Sequence, residues 1–150
     1  IALGASALAA LLGLAAQAAY TWRDLIAAAA PASRSLLAAG CRFAGCRIEA
    51  PRAIEMLAVE SSGLVRESGT SMYKLSFVVR NRSAYALATP ALDLSLSDTR
   101  GAPIARRVVP LAEFGFARPS VPGQAELALQ ATLDLGERAV SGYTIELFYP

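Results

Sequence analysis

Along this chain the spacing of apolar positions changes character once, near residue 54. Residues 1–22, IALGASALAALLGLAAQAAYTW, carry no charge, so no polar face interrupts the run. A helix that is apolar on every side has to be covered all round, by a large core or by lipid. At about 1.5 Å of rise per residue, the run reaches across the roughly 30 Å hydrocarbon layer of a bilayer. From Ile54 the period falls to two. MYKLSFVVR sets Tyr73, Leu75, Phe77 and Val79 against Lys74 and Ser76, and PALDLSLSD sets Leu92, Leu94 and Leu96 against Asp93, Ser95 and Ser97. AELALQATLDL aligns Leu127, Leu129, Ala131 and Leu133, and GYTIELFYP aligns Tyr143, Ile145, Leu147 and Tyr149. Weaker alternation marks strands at 54–60, 64–67 and 103–109.

About seven short strands between Gly, Pro, Asn and Asp turns predict a mainly β chain, with an antiparallel sandwich of immunoglobulin-like proportions. Alternation, in place of continuous apolar runs, gives each sheet one wet face. The longest stretch without a strand, residues 110–124, contains EFGFARPSVPGQ. Its Phe114 and Phe116 either cap the core or form a contact loop for a partner. The expected organisation is a transmembrane helix at 1–22, a helical neck at 23–53 and a β-domain at 54–150.

Within the opening run, Tyr20 and Trp22 stand just before Arg23 and Asp24, where interface-anchoring aromatics belong. Gly4, Ala5, Ser6, Ala9 and Gly13 are small enough to let a second helix approach closely. Alanine is weakly apolar, so a lone helix of this composition inserts marginally and gains from a neighbour. AAQAAY also offers small residues at the spacing signal peptidase reads. The expectation is nevertheless an uncleaved span, because the run is long and ends in an aromatic belt. The loop-charge rule compares both flanks of a span, and this sequence holds only the flank after Trp22, so the rule sets no orientation.

The neck, RDLIAAAAPASRSLLAAGCRFAGC, predicts a helix broken at Pro31, then a second helix with Ser33 as N-cap and Gly40 near its end. Cys41 and Cys46 follow. In a continuous helix, residues five apart have Cα atoms about 8.7 Å apart, beyond the roughly 4.4–6.8 Å of a disulfide. A bond therefore requires a turn, which Gly45 permits. A structural disulfide in an oxidising compartment is the reading that fits best. Two buried thiols, or a redox or metal role, are the alternatives, although the spacing is not C-x-x-C.

Charge and candidate chemistry narrow the function. Residues 23–53 carry Arg23, Arg34, Arg42, Arg47 and Arg52 against Asp24 and Glu49, while the β-domain is close to neutral. The neck arginines either meet anionic headgroups or are ordinary solvated charges, the plainer reading. A near-neutral β-domain has no basic face for nucleic acid. The chain has no histidine, which removes the commonest general base and every Ser-His or Cys-His pair. Two cysteines do not close a four-ligand zinc site. Asp93, Asp98, Glu113 and Asp134 are scattered along the sequence, and no phosphate loop or nucleophile elbow occurs. The Arg80-Asn81-Arg82 run reads as a turn asparagine between two solvated arginines. The expectation is a protein that is not an enzyme, with no catalytic, cofactor or metal residues and no small-molecule substrate.

Seven segments in order give a resemblance: YTWRDLIAA, CRFAGCRI, LAVESSGL, LSFVVRNRS, PALDLSLSD, ARRVVPLAEF and GYTIELFYP. With them the chain resembles proteobacterial membrane proteins that have a cytoplasmic zinc ribbon, one span and a C-terminal extracytoplasmic domain of unknown function. The resemblance implies a single span in the bacterial inner membrane, N-terminus inside, with the sandwich in the periplasm. It brings no catalytic residues. The zinc-ribbon cysteines are absent from this sequence, so no metal role carries over. Two functions follow as expectations. One is an accessory or assembly subunit that docks on an integral membrane protein or complex in the lipid bilayer. The other is an envelope sensor with a zinc ribbon upstream of Ile1.

Overall fold

A computed structural model describes residues 2–136 and 140–150, with the side chains of residues 2 and 3 left out. Residue 1 of the expected span lies outside the described residues. Two compact units divide the chain, Ile1–Pro51 and Arg52–Pro150.

The N-terminal unit is helical. Helix α1 (Ala2–Thr21) is long and apolar enough to cross a membrane, and its surface is exposed. Helix α2 (Arg23–Ala29) continues almost directly, with Ile26 N–H donating to the Trp22 carbonyl at 2.9 Å. Pro31, which lacks an N–H, ends this run, and a 3-10 turn at Pro31–Ser33 reverses the chain into α3 (Arg34–Ala44). Two details of the neck differ from expectation. Ser33 does not cap α3; its hydroxyl donates back to the Ala30 carbonyl at 2.7 Å, because Ser33 already sits in the 3-10 turn. Helix α3 also runs through Gly40 and stops at Gly45, whose φ of 69° is the left-handed value glycine tolerates best. That turn brings the Cα of Cys46 to 4.6 Å from that of Cys41, and the two are bonded as a disulfide.

The C-terminal unit is mostly strands in open sheets. Strands β1 (Leu57–Arg66), β2 (Met72–Asn81) and β7 (Glu126–Asp134) form one antiparallel sheet in the order β1-β2-β7. Strands β4 (Ala91–Ser97), β5 (Pro103–Pro110) and β8 (Gly142–Phe148) form another, β5-β4-β8. The two-residue strands β3 (Leu87–Ala88) and β6 (Ser120–Val121) pair with each other. One apolar cluster draws on both larger sheets: Leu75, Phe77 and Val79 from β2, and Leu92, Leu94 and Leu96 from β4.

The strands expected at 54–60 and 64–67 merge into a single strand, β1, and Ile54–Met56, expected to open the first of them, form a 3-10 turn instead. Val59 stands opposite Val79 and Ser62 opposite Phe77, so three steps on β1 match two on β2. An extra residue of this kind flips every later side chain to the other face. The apolar set therefore changes parity from Leu57 and Val59 to Leu64, which a period-two reading takes for a strand break. The stretch 110–124 is also structured: it holds a 3-10 turn at Leu111–Phe114 and β6.

Candidate functional site

The most elaborate polar arrangement begins at the end of β2. Asn81 is fully buried. Its amide nitrogen donates to the carbonyls of Tyr85 at 3.0 Å, Val121 at 3.1 Å and Pro122 at 3.0 Å. Its Oδ1 accepts from the Ser83 N–H at 2.9 Å and the Ser83 hydroxyl at 2.8 Å. One side chain thus ties the turn after β2 to the segment after β6, forty residues on. A backbone hydrogen bond from Gln124 N–H to the Ser83 carbonyl at 2.9 Å closes the same junction. Gly123 lies so near that a Cβ there would be 2.5 Å from the Ala84 carbonyl oxygen. Every group in this clasp is used internally, so its role is to hold two segments together.

A second polar group lies on the outer face of β5-β4-β8. Asp93 stands opposite Glu146 of β8, and Ser95 opposite Thr144. Two like charges directly across a ladder repel, and Arg106 of β5 offsets this by bonding both Asp93 oxygens, Nε lying 3.1 Å and 3.0 Å away. The fork of guanidinium hydrogen bonds, opposed by partial desolvation, holds the Asp93 carboxyl below the usual carboxylate range. Asp93, Ser95, Arg106, Thr144 and Glu146 line a shallow depression of about 260 Å³. Because the Asp93 pKa is depressed on folding, its contribution is complete above the ordinary value of 3.8 and is lost as pH falls through the lowered one. Asp93→Asn should therefore flatten the acid limb of the stability curve below about pH 4. Chemical denaturation of both proteins across that range checks it.

The third feature is apolar. Pro90, Ala91, Val108, Pro110, Leu111 and Phe116, together with Arg118, line a groove of about 420 Å³. Val108 is half-exposed there.

The residues singled out from the sequence are distributed as follows. Phe114 is buried, its ring edge-on to Phe77 with centroids 5.0 Å apart, so it belongs to the core; Phe116 is the one of the pair that reaches the groove. Cys41 and Cys46 are joined. Tyr20 and Trp22 are exposed near the end of α1. At about 100° per residue, Ala5, Ala9 and Gly13 follow one stripe of α1, whereas Gly4 falls on the other side with Leu8 and Leu11. Gly4 is thus not part of that small-residue face. Among the described residues, no three His, Cys, Asp or Glu side chains are grouped as a metal would require.

A family of proteins of unknown function, DUF3426, matches residues 54–147. The chain belongs to this family. The DUF3426 match begins just before β1 and ends at residue 147, within β8, so it takes in nearly all of the eight described strands and the Asn81 clasp. No curated protein and no solved structure matches the chain.

Sequence reasoning missed the clasp in this DUF3426 domain. An asparagine at a strand end with serine two positions on does mark a side-chain-to-backbone turn, and Ser83 N–H to Asn81 Oδ1 is that local part. The bonds to Val121 and Pro122 have no local signature.

Proposed function

We propose that this protein is a non-catalytic, single-span membrane protein that docks on other membrane proteins, as an accessory or assembly subunit of a larger complex. In this reading α1 crosses the bacterial inner membrane and residues 54–150 stand in the periplasm. There the β1-β2-β7 and β5-β4-β8 sheets are the two faces of an immunoglobulin-like sandwich. The shared apolar cluster supports the sandwich, and the Cys41–Cys46 bond supports an oxidising compartment.

The observation that carries the docking role is the two-sided surface of α1. Leu8, Leu11, Leu12 and Leu14 cover one half, while Ala5, Ser6, Ala9, Gly13 and Ala16 cover the other. Leucines suit lipid; small side chains let a second backbone come close, where van der Waals packing drives association. The apolar groove around Phe116 offers a second contact outside the membrane.

A photo-crosslinker at Ala9 should capture a protein neighbour in native membranes, and one at Leu11 should capture lipid. Ala9→Leu with Gly13→Leu should lower recovery of that neighbour about tenfold, the equivalent of roughly 1.4 kcal/mol. Equal protein capture from both positions, unchanged in the double variant, would count against a docking face.

A further inference from the structure

The N-terminal unit folds back on itself, and two hydrogen bonds fix how far. Past α3, the Arg47 carbonyl accepts from Arg23 Nε at 3.1 Å, and the Glu49 N–H donates to Asp24 Oδ1 at 3.0 Å. Arg23 is in turn tied to the aromatic belt. Its guanidinium lies 5.0 Å over the Tyr20 ring, and Nη1 donates to the Tyr20 carbonyl at 2.9 Å. The disulfide-bonded end of α3 is therefore held at the height of Tyr20 and Trp22.

On that end Phe43 is 95% exposed, and Leu36 is 77% exposed. Seven residues make nearly two full turns, so both lie on one face of α3. Cys41 is buried on the opposite side. Arg42 and Arg47, both exposed, flank Phe43 in sequence. A phenyl ring left this open in water is unfavourable, yet an aromatic ring beside cations at headgroup level is how a chain anchors at a membrane interface.

We propose that the disulfide-bonded tip of α3 is a membrane-contacting foot: Phe43 enters the interfacial layer, and Arg42 and Arg47 bind the phosphates of acidic phospholipids. The proposal rests on α1 as the span, since that is what sets Tyr20 and Trp22 at the interface. Charge favours lipid as the occupant. The residues from Arg23 to Ala53 are net basic, and each arginine near an anionic surface strengthens attachment about fivefold. Gly45 and the Cys41–Cys46 bond fix the tip, so the foot is pre-shaped.

Trp22 is the single tryptophan of the chain, which makes the test direct. The full chain is reconstituted in phosphatidylcholine vesicles with or without phosphatidylglycerol, and bromine-labelled acyl chains and acrylamide serve as quenchers. In the variant combining Trp22→Phe with Phe43→Trp, the indole at position 43 should be quenched by bromolipid and shielded from acrylamide when acidic lipid is present. Arg42→Gln with Arg47→Gln should weaken that attachment about fivefold per arginine, as should omission of phosphatidylglycerol. Trp22 of the natural sequence should be quenched by bromolipid in both vesicles. If the indole at 43 is open to acrylamide while Trp22 stays quenched, the foot is refuted and the span stands. Shielding from both quenchers means that protein covers the tip, which also refutes the foot. A Trp22 untouched by bromolipid removes the span reading and the foot with it.

Discussion

Asn81→Ala should lower the unfolding free energy of the β-domain by about 4 kcal/mol. The change strips hydrogen bonds from the carbonyls of Tyr85, Val121 and Pro122 and from the Ser83 N–H. Leaving one buried polar group unsatisfied costs about 1–3 kcal/mol, and relaxation or entering water recovers part of the total. Asn81→Asp is the sharper probe. It keeps the shape and the acceptor toward Ser83, but a carboxylate offers nothing to three carbonyl oxygens and adds a buried charge. It should be at least as harmful as alanine near neutral pH. Urea unfolding of the full chain in mild detergent, followed by circular dichroism, measures both. A loss under about 1 kcal/mol would mean that the clasp is dispensable.

Phe77→Ala should cost about 4 kcal/mol by a different route, the cavity left in the apolar cluster. Phe77 is 2% exposed and lies at the centre of β2, flanked by Ser62 on β1 and Leu129 on β7. Its ring meets Phe114 edge-on, an arrangement worth about 0.5–1.5 kcal/mol beyond area burial. The same unfolding experiment should show the midpoint falling with little change in slope, since the surface exposed on unfolding is nearly the same. In a double-mutant cycle with Phe114→Ala, a coupling near zero would place Phe114 outside the core.

These two positions show what the sequence made legible. Phe77 is readable because its neighbours alternate: Tyr73, Leu75 and Val79 share its face, and all are buried. The same logic locates Leu92, Leu94 and Leu96. It fails at β1, where one extra residue inverts the parity; Phe114 lies outside any alternating stretch, and of the two readings open for it the structure shows the core-capping one. Asn81 is opaque for a deeper reason. A side chain that bonds backbone carbonyls leaves no demand on the identity of its distant partners, so Val121 and Pro122 carry no mark of the contact. Asp93 is opaque in a similar way, because Glu146 becomes its neighbour only when β4 and β8 pair. The disulfide was legible as a geometric condition, a turn between Cys41 and Cys46, and Gly45 supplies that turn.

Open sheets leave outermost strands with unpaired backbone groups, which invite another chain to add on. Strand β5 is such a strand, bonded only to β4 within its sheet. It begins at Pro103 and ends at Pro110, residues that cannot donate to an incoming ladder, and its middle carries Arg106 and Arg107. Two copies aligned along β5 would set these arginines against one another. On the other sheet, β1 is interrupted by its bulge, which twists the strand away from a straight template. In the proposed reading, where α1 holds the chain in a membrane, copies meet far more often than in free solution. Both devices blunt pairing at β5 and β1, which leaves β7 and β8 as the outermost strands where another chain could add on.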